Sequence, residues 1–167
     1  DWYGVLPSEL SAALDTYSYG TKFRSVTFNE KGVYAITTSI GFKSNNKEYQ
    51  AFYDDNKQAF GELLSVTVCG DGAVFCYSDK TRYCGKIPST VESAMNRFSY
   101  TANYVKFNRQ GDYLICSKAG SFSYSIAPAN AGRTVTMVSY DYMKDREERI
   151  RKQKEQEAAR RRKVADE

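Results

Sequence analysis

The chain repeats itself internally, and this repetition constrains its fold more than any other feature of the sequence. Residues 4–34 read GVLPSELSAALDTYSYGTKFRSVTFNEKGVY, and residues 85–113 read GKIPSTVESAMNRFSYTANYVKFNRQGDY. Glycine, proline, valine and aromatic positions match along the two segments, and a fainter copy lies at residues 64–76. The matches define a unit of about 40 residues, a length typical of repeat architectures.

Each unit is predicted to contain two strands joined by a turn, a short aromatic strand and a helix. Apolar residues at helical spacing predict helices that begin near Pro7 and Pro88. A middle helix is predicted within residues 45–60, and the glycines at equivalent turn positions indicate hairpins that need positive φ. In the last unit a loop at residues 127–132 replaces the helix, and a final strand follows at residues 134–140.

Two local patterns give more specific expectations. Ser89 followed by Glu92 has the spacing of a capping box, with a proline just ahead, which predicts a helix start at this point. The alternation after the first helix predicts a strand on which Arg24, Val26 and Phe28 share one face.

We therefore expect an α+β domain over residues 1–140 and a charged helical tail over residues 141–167. The domain is predicted to be one antiparallel sheet, curved or partly closed, with helices on its outer face. A β-propeller usually has more blades and lacks such helices, and the helices also argue against a trefoil-like barrel. The tail contains neither glycine nor proline, and four of its acidic residues lie four positions before a basic one, which favours a helix: Asp145/Arg149, Glu147/Arg151, Glu148/Lys152 and Glu157/Arg161.

The pattern of an aromatic strand, Gly-(Val/Lys)-(Leu/Ile)-Pro, an amphipathic helix and Val-x-Phe-x-x-x-Gly-x-Tyr resembles a group of tandem repeats. These β-rich repeats of roughly 40 residues occur in bacterial, fungal and algal proteins that are mostly uncharacterised. The resemblance covers residues 2–126 and is carried by Trp2, Gly4, Pro7, Phe28, Gly32 and Tyr34, and again by Tyr83, Gly85, Pro88, Phe107, Gly111 and Tyr113. It implies a repeat fold and supplies no catalytic residues; the middle unit lacks the glycine and proline of the pattern.

The composition argues against an enzyme and against a metal or cofactor site. The chain has no histidine, which removes the commonest general base and metal ligand. The four cysteines have spacings that match no zinc pattern, and we expect them to be small core or strand residues, although a single disulfide remains open. We expect no catalytic residue, no cofactor and no metal.

The sequence does not identify a compartment. No run of 18 apolar residues occurs, so no membrane-spanning helix is expected, and the first residues do not have the pattern of a signal peptide. The formal net charge is +4, of which residues 144–167 contribute +3, from ten basic and seven acidic residues. The repeat domain is therefore nearly neutral, which argues against nucleic-acid binding over its body.

We expect a non-catalytic structural or scaffold protein that assembles with itself or docks into a larger complex, because open strand edges must be covered or paired. Two alternatives are carbohydrate binding by exposed aromatic rings, and binding of nucleic acid or an anionic surface by the basic tail. The candidate partner-binding residues are the repeated aromatic positions and the basic run of the tail: Trp2, Phe42, Tyr83, Phe122, Arg160, Arg161, Arg162 and Lys163.

Overall fold

The computed structural model describes residues 5–127 and 147–162. The chain divides into two compact units, Asp1–Ser125 and Ile126–Glu167. The predictions for Trp2, Lys163 and the strand at residues 134–140 lie outside the described residues.

The described part of the first unit contains three helices and nine strands. The helices are α1 (Ser8–Asp15), α2 (Lys47–Asp55) and α3 (Ser89–Arg97). The strands are β1 (Phe23–Phe28), β2 (Tyr34–Thr38), β3 (Phe42–Ser44), β4 (Leu63–Cys69), β5 (Gly72–Tyr77), β6 (Thr81–Gly85), β7 (Ala102–Phe107), β8 (Tyr113–Ser117) and β9 (Phe122–Ser125). This order confirms the α+β class and the predicted succession of two strands, a short strand and a helix.

The strands form three separate antiparallel sheets. The first sheet is β1-β2-β3, the second is β4-β5-β6 and the third is β7-β8-β9, and none of them is closed. Because backbone pairing stays within each repeat, the single curved sheet expected from the sequence is not confirmed. The sheets of successive repeats contact each other through side chains instead.

The helices begin at prolines or at an asparagine. Pro88 is the N-cap of α3, and its carbonyl accepts the N–H groups of Val91 at 3.0 Å and Glu92 at 3.1 Å. Ser89 is already the first helical residue, and α3 has no side-chain cap, so the expected capping box is wrong. The middle helix does have one, because Asn46 accepts the N–H of Tyr49 at 3.1 Å.

The first helix packs on the first sheet. Leu10 and Leu14 of α1 are buried against Ile36 of β2, and together they form a small apolar core. The first sheet lies on one side of this core and the helix on the other. Among the described residues, no other sheet contributes to this core.

The second helix lies at the joint between the first and second sheets. Tyr49 of α2 is buried with Phe42 of the first sheet and with Val66 and Phe75 of the second. The rings of Phe42 and Phe75 have their centroids 5.5 Å apart. This core fastens one repeat to the next.

The third helix has the same place at the joint between the second and third sheets. Val91 and Ala94 of α3 are buried with Val74 of the second sheet and with Val105 and Ile115 of the third. The helices α2 and α3 therefore pack at the joints between sheets, rather than on the outer face of one sheet as the sequence suggested. Each joint buries a sheet face of the repeat that follows it.

All four cysteines are free and lie in strands, as expected: Cys69, Cys76, Cys84 and Cys116. Burial raises the pKa of the Cys76 thiol to about 11. Within the described residues, no helix combines the length and apolar character that a membrane span requires.

Residues 147–162 of the second unit form a helix whose side chains are all exposed. Two of the predicted acid–base pairs are formed, Glu148 with Lys152 at 2.9 Å and Glu157 with Arg161 at 3.2 Å. The remaining parts of the predicted tail helix, 141–146 and 163–167, lie outside the described residues.

Candidate docking surface

A β-bulge in β1 changes which side chains lie on each face of the first sheet. The pairing register of β1 and β2 shifts between Phe23 and Ser25, so Arg24 occupies the bulge. The Arg24 guanidinium donates to the backbone oxygen of Leu63 at 2.7 Å, in the second sheet. The expectation that Arg24 shares a face with Val26 and Phe28 is therefore wrong, because strict alternation ends at the bulge.

Short hydroxyl side chains join the first sheet to the second. The N–H of Val66 donates to Ser25 Oγ, and the N–H of Val68 donates to Thr27 Oγ1, both at 3.0 Å. Ser65 continues the pattern at the next joint, where its hydroxyl donates to the backbone oxygen of Asn103 at 2.7 Å. Hydroxyls on one repeat thus satisfy backbone groups at the strand edge of the next repeat.

Further side chains close the two ends of the first joint. At one end Arg24 pairs with Glu62, and at the other the Asn29 amide donates to the backbone oxygen of Gly70 at 3.0 Å. The joint between the first two sheets therefore has an apolar core, two hydroxyl contacts and polar contacts at both ends.

The pairing register identifies equivalent residues in the three sheets. The reference positions face each other across the first two strands of each sheet: Val26 and Ile36, Val66 and Phe75, Val105 and Ile115. The same register makes Phe23 equivalent to Leu63, and Phe28 equivalent to Val68. Burial can then be compared position by position.

The three apolar positions of β1 are exposed, whereas their equivalents in the second sheet, Leu63, Val66 and Val68, are buried. Val26 is 40% exposed, whereas Val66 and Val105 are 0% exposed. Phe23 and Phe28 are 46% and 45% exposed. We call Phe23, Val26 and Phe28 the apolar end face. Its exposure is unusual because valine and phenylalanine at these positions suit a covered sheet.

The first helix covers only part of this face of the sheet. Tyr17, which follows α1, contacts the ring of Phe23 edge-on, with the centroids 5.2 Å apart. The core under α1 takes in Ile36 but not Val26 or Phe28. In the second sheet a preceding sheet as well as a helix covers the equivalent residues.

Backbone groups of β1 also point outwards beside the apolar end face. Val66 gives its N–H to Ser25 rather than to β5, so this register position faces the free edge of the sheet. Val26 has the same register on β1, and Phe28 follows two residues later with the same backbone direction. Within residues 5–127 and 147–162, no hydroxyl accepts either N–H group.

The predicted aromatic sites fall into two kinds. Phe42 and Phe122 are equivalent, because they pair with Thr37 and Cys116, and Phe42 is buried in the core at the first joint. Tyr83 pairs with Val74, which places it two residues further along its strand than Phe42 lies in β3. The expected equivalence of Tyr83 with Phe42 is therefore wrong. The turn between β4 and β5 is one residue shorter than the turn between β1 and β2, so equal spacing in the sequence does not give equal register.

Two exposed tyrosines, Tyr83 and Tyr124, occupy this second position. Tyr83 is 39% exposed, and its hydroxyl donates to Glu92 Oε1 at 2.8 Å, which links β6 to α3 and raises the pKa of Tyr83. Tyr124 has the equivalent place in the third sheet and stacks on Phe122, with the ring centroids 6.0 Å apart.

The basic residues of the tail lie along the exposed helix at residues 147–162. Arg160, Arg161 and Arg162 are exposed, and Arg161 pairs with Glu157. Acidic side chains thus accompany the basic run, as the sequence indicates.

A cleft of about 510 Å³ lies at the turns that join the first two strands of each sheet. Its charged lining includes Lys31, Asp71, Lys86 and Arg109. Lys31 pairs with Asp71 at 2.8 Å and lowers the pKa of that carboxyl, and Arg109 pairs with Glu30. These pairs link turns of different repeats, so the cleft is best explained as part of the packing between them.

No group of three or more potential metal ligands occurs in the described part of the chain. Comparison with protein-family models, with curated proteins and with solved structures finds no match. The geometry of the chain itself therefore carries the functional argument.

Sequence reasoning did not select the apolar end face as a partner-binding site. It recognised that Val26 and Phe28 repeat as Val105 and Phe107 and explained both pairs by packing within the fold. Each later sheet packs on its predecessor, whereas among the described residues no sheet precedes the first one.

Proposed function

We propose that the chain is a non-catalytic scaffold protein whose repeat domain joins a larger assembly through the apolar end face. The exposure of Val26 beside the complete burial of Val66 and Val105 carries the proposal. The same sheet position is covered wherever a preceding repeat is present.

The surface combines two features of a docking site. Phe23, Val26 and Phe28 supply apolar area, and aromatic residues are enriched in protein interfaces. The N–H groups of Val26 and Phe28 that point away from β2 add directional contacts, which distinguish a specific partner from unspecific aggregation. The resemblance to tandem repeats supports the same function, since such units bury their faces against neighbours.

A lysine at position 26 tests the proposal. Val26→Lys places a charge on the apolar end face, whereas Ile40→Lys places the same charge on a residue that is 89% exposed and outside it. Each tagged full chain is produced in cells of its natural source, and its native size is measured by gradient sedimentation. The unchanged chain and Ile40→Lys are expected in a large complex, and Val26→Lys at the size of a single chain.

Two results would contradict the proposal. The unchanged chain could sediment as a single chain, or Val26→Lys could remain in the complex at the wild-type level. Circular dichroism and thermal unfolding of the purified variants establish that each retains its fold.

A further inference from the structure

We infer that the occupant of the apolar end face is a further three-stranded repeat unit, supplied by a partner, that carries hydroxyl side chains at the positions of Ser25 and Thr27. The inference rests on the proposed function and specifies the chemistry of the partner. It follows from the joints already present between the described sheets.

The first joint shows what the missing cover must provide. Val66 and Val68 are buried under the first sheet, and their N–H groups donate to Ser25 and Thr27. Val26 and Phe28 are their equivalents on β1. A strand with Ser or Thr two residues apart would therefore supply acceptors to both N–H groups while its sheet covers the apolar side chains.

Charge adds a second requirement. At the first joint Arg24 pairs with Glu62, which directly precedes β4. Lys22 directly precedes β1 and so occupies the place of Glu62. The partner unit should therefore carry an acidic residue where the first sheet carries Arg24.

A second copy of this chain fits these requirements poorly. The third sheet is the last described repeat, and it carries Tyr104 and Lys106 at the positions of Ser25 and Thr27. These two positions therefore carry a bulky ring and a cation in place of two small hydroxyls. The hydroxyls of the first and second sheets face the joints inside the same chain.

The test supplies such a unit within the full chain. Residues 22–61 are duplicated, so that the chain runs 1–61 and then 22–167, and the upstream copy carries Arg24→Glu to match the downstream Lys22. The added segment has 40 residues, which is the spacing from Phe23 to Leu63. Amide hydrogen exchange is measured by NMR with only the downstream residues isotopically labelled.

The downstream Val26 and Phe28 amides are expected to exchange at least about tenfold more slowly than in the unchanged chain. Adding Ser25→Ala and Thr27→Val in the upstream copy should remove most of this protection. Leaving Arg24 unchanged in the upstream copy should give an intermediate result. Val66 and Val68 in the same sample report whether the native joint remains.

Three results would overturn the inference: no protection of downstream Val26 and Phe28 beside protected Val66 and Val68, equal protection without the upstream hydroxyls, or dimerisation of the purified unchanged chain that Val26→Lys abolishes. The last result would make the occupant a second copy and leave the proposed scaffold function intact.

A second measurement tests the inference even if the duplicated chain does not fold. Ser25→Ala with Thr27→Val in the unchanged chain should speed exchange of the Val66 and Val68 amides by about tenfold. If those amides exchange at the wild-type rate, the hydroxyl contacts do not protect a joint and the inference fails.

Discussion

Val68 donates its backbone N–H to the Thr27 hydroxyl at 3.0 Å, across the joint between the first and second sheets. The two residues are 41 positions apart in sequence, about one repeat. The contact is buried, and it replaces the backbone ladder that would connect two strands of one sheet. Its loss would leave a buried donor without a partner.

Thr27→Val should lower the free energy of unfolding by about 1–2 kcal/mol, because the substitution keeps the shape and removes the acceptor for Val68. Urea denaturation followed by circular dichroism measures the change. Thr67→Val is the matched control. Thr67 has the equivalent position in β4, and its hydroxyl is buried without a hydrogen-bond partner among the described residues.

The control should be neutral or slightly stabilising, because it removes a buried hydroxyl that makes no bond. Equal destabilisation by the two substitutions would show that the hydrogen bond between Thr27 and Val68 adds nothing to the free energy of unfolding beyond the packing of the side chain. The proposed role of hydroxyls at the joints would then lose its energetic support.

Gly72→Ala should destabilise the second sheet by about 2 kcal/mol or more, because of steric overlap. A Cβ at Gly72 would lie 2.2 Å from the backbone oxygen of Lys86, and backbone cannot move aside as a side chain can. Gly41→Ala is the control, since a Cβ there meets nothing within 4 Å. Thermal unfolding of both variants checks the difference, and equal melting temperatures would contradict it.

The repeat order and the three hairpin turns could be predicted because they depend on local sequence. Glycine appears at each turn, and Gly32 and Gly111 have the expected positive φ values of +77° and +88°. In the second turn the expectation for Gly72 is wrong, because the positive φ, +57°, belongs to Gly70. Proline before two of the helices likewise marks their starts. Each of these signals can be recognised in one repeat alone, and its recurrence in another repeat supports the prediction.

The joints between sheets could not be predicted in the same way. A bulge at Arg24 and a shorter turn in the second sheet each shift the side-chain pattern, and a shift of one residue reverses the face to which a strand residue points. The sequence therefore identifies Val26 as an apolar strand residue but does not show which sheet lies against it. Only the pairing register of the strands shows which copy of this valine is covered by another sheet and which is exposed.

Truncation after residue 146 should leave the melting temperature of the repeat domain unchanged within about 2 °C. The helix at residues 147–162 has only exposed side chains, and its pairs Arg151–Glu155, Glu148–Lys152 and Glu157–Arg161 join residues within the same helix. We therefore expect the core of the repeat domain not to depend on it. Calorimetry of the full and truncated chains measures this. A large loss of melting temperature, or loss of a cooperative transition, would show that the tail is part of the folded core.

Alkaline pH should weaken the fold through Cys76. Burial raises the pKa of this thiol from 9.0 to about 11 in the folded chain, so the folded state holds the proton more tightly than the unfolded state. The resulting stabilisation is fully present below pH 9 and is lost as the pH rises through 11. It amounts to about 2 kcal/mol between those limits.

Urea unfolding at pH 8 and pH 11, under reducing conditions, tests the role of Cys76 against a Cys76→Ala variant. The variant loses stability at both pH values because a buried side chain is shortened, but it should lose about 2 kcal/mol less than the wild type between them. Other titrating groups are common to both proteins and cancel in the comparison. An identical pH dependence would show that the Cys76 thiol is accessible to solvent, contrary to its place in the core between the second and third sheets.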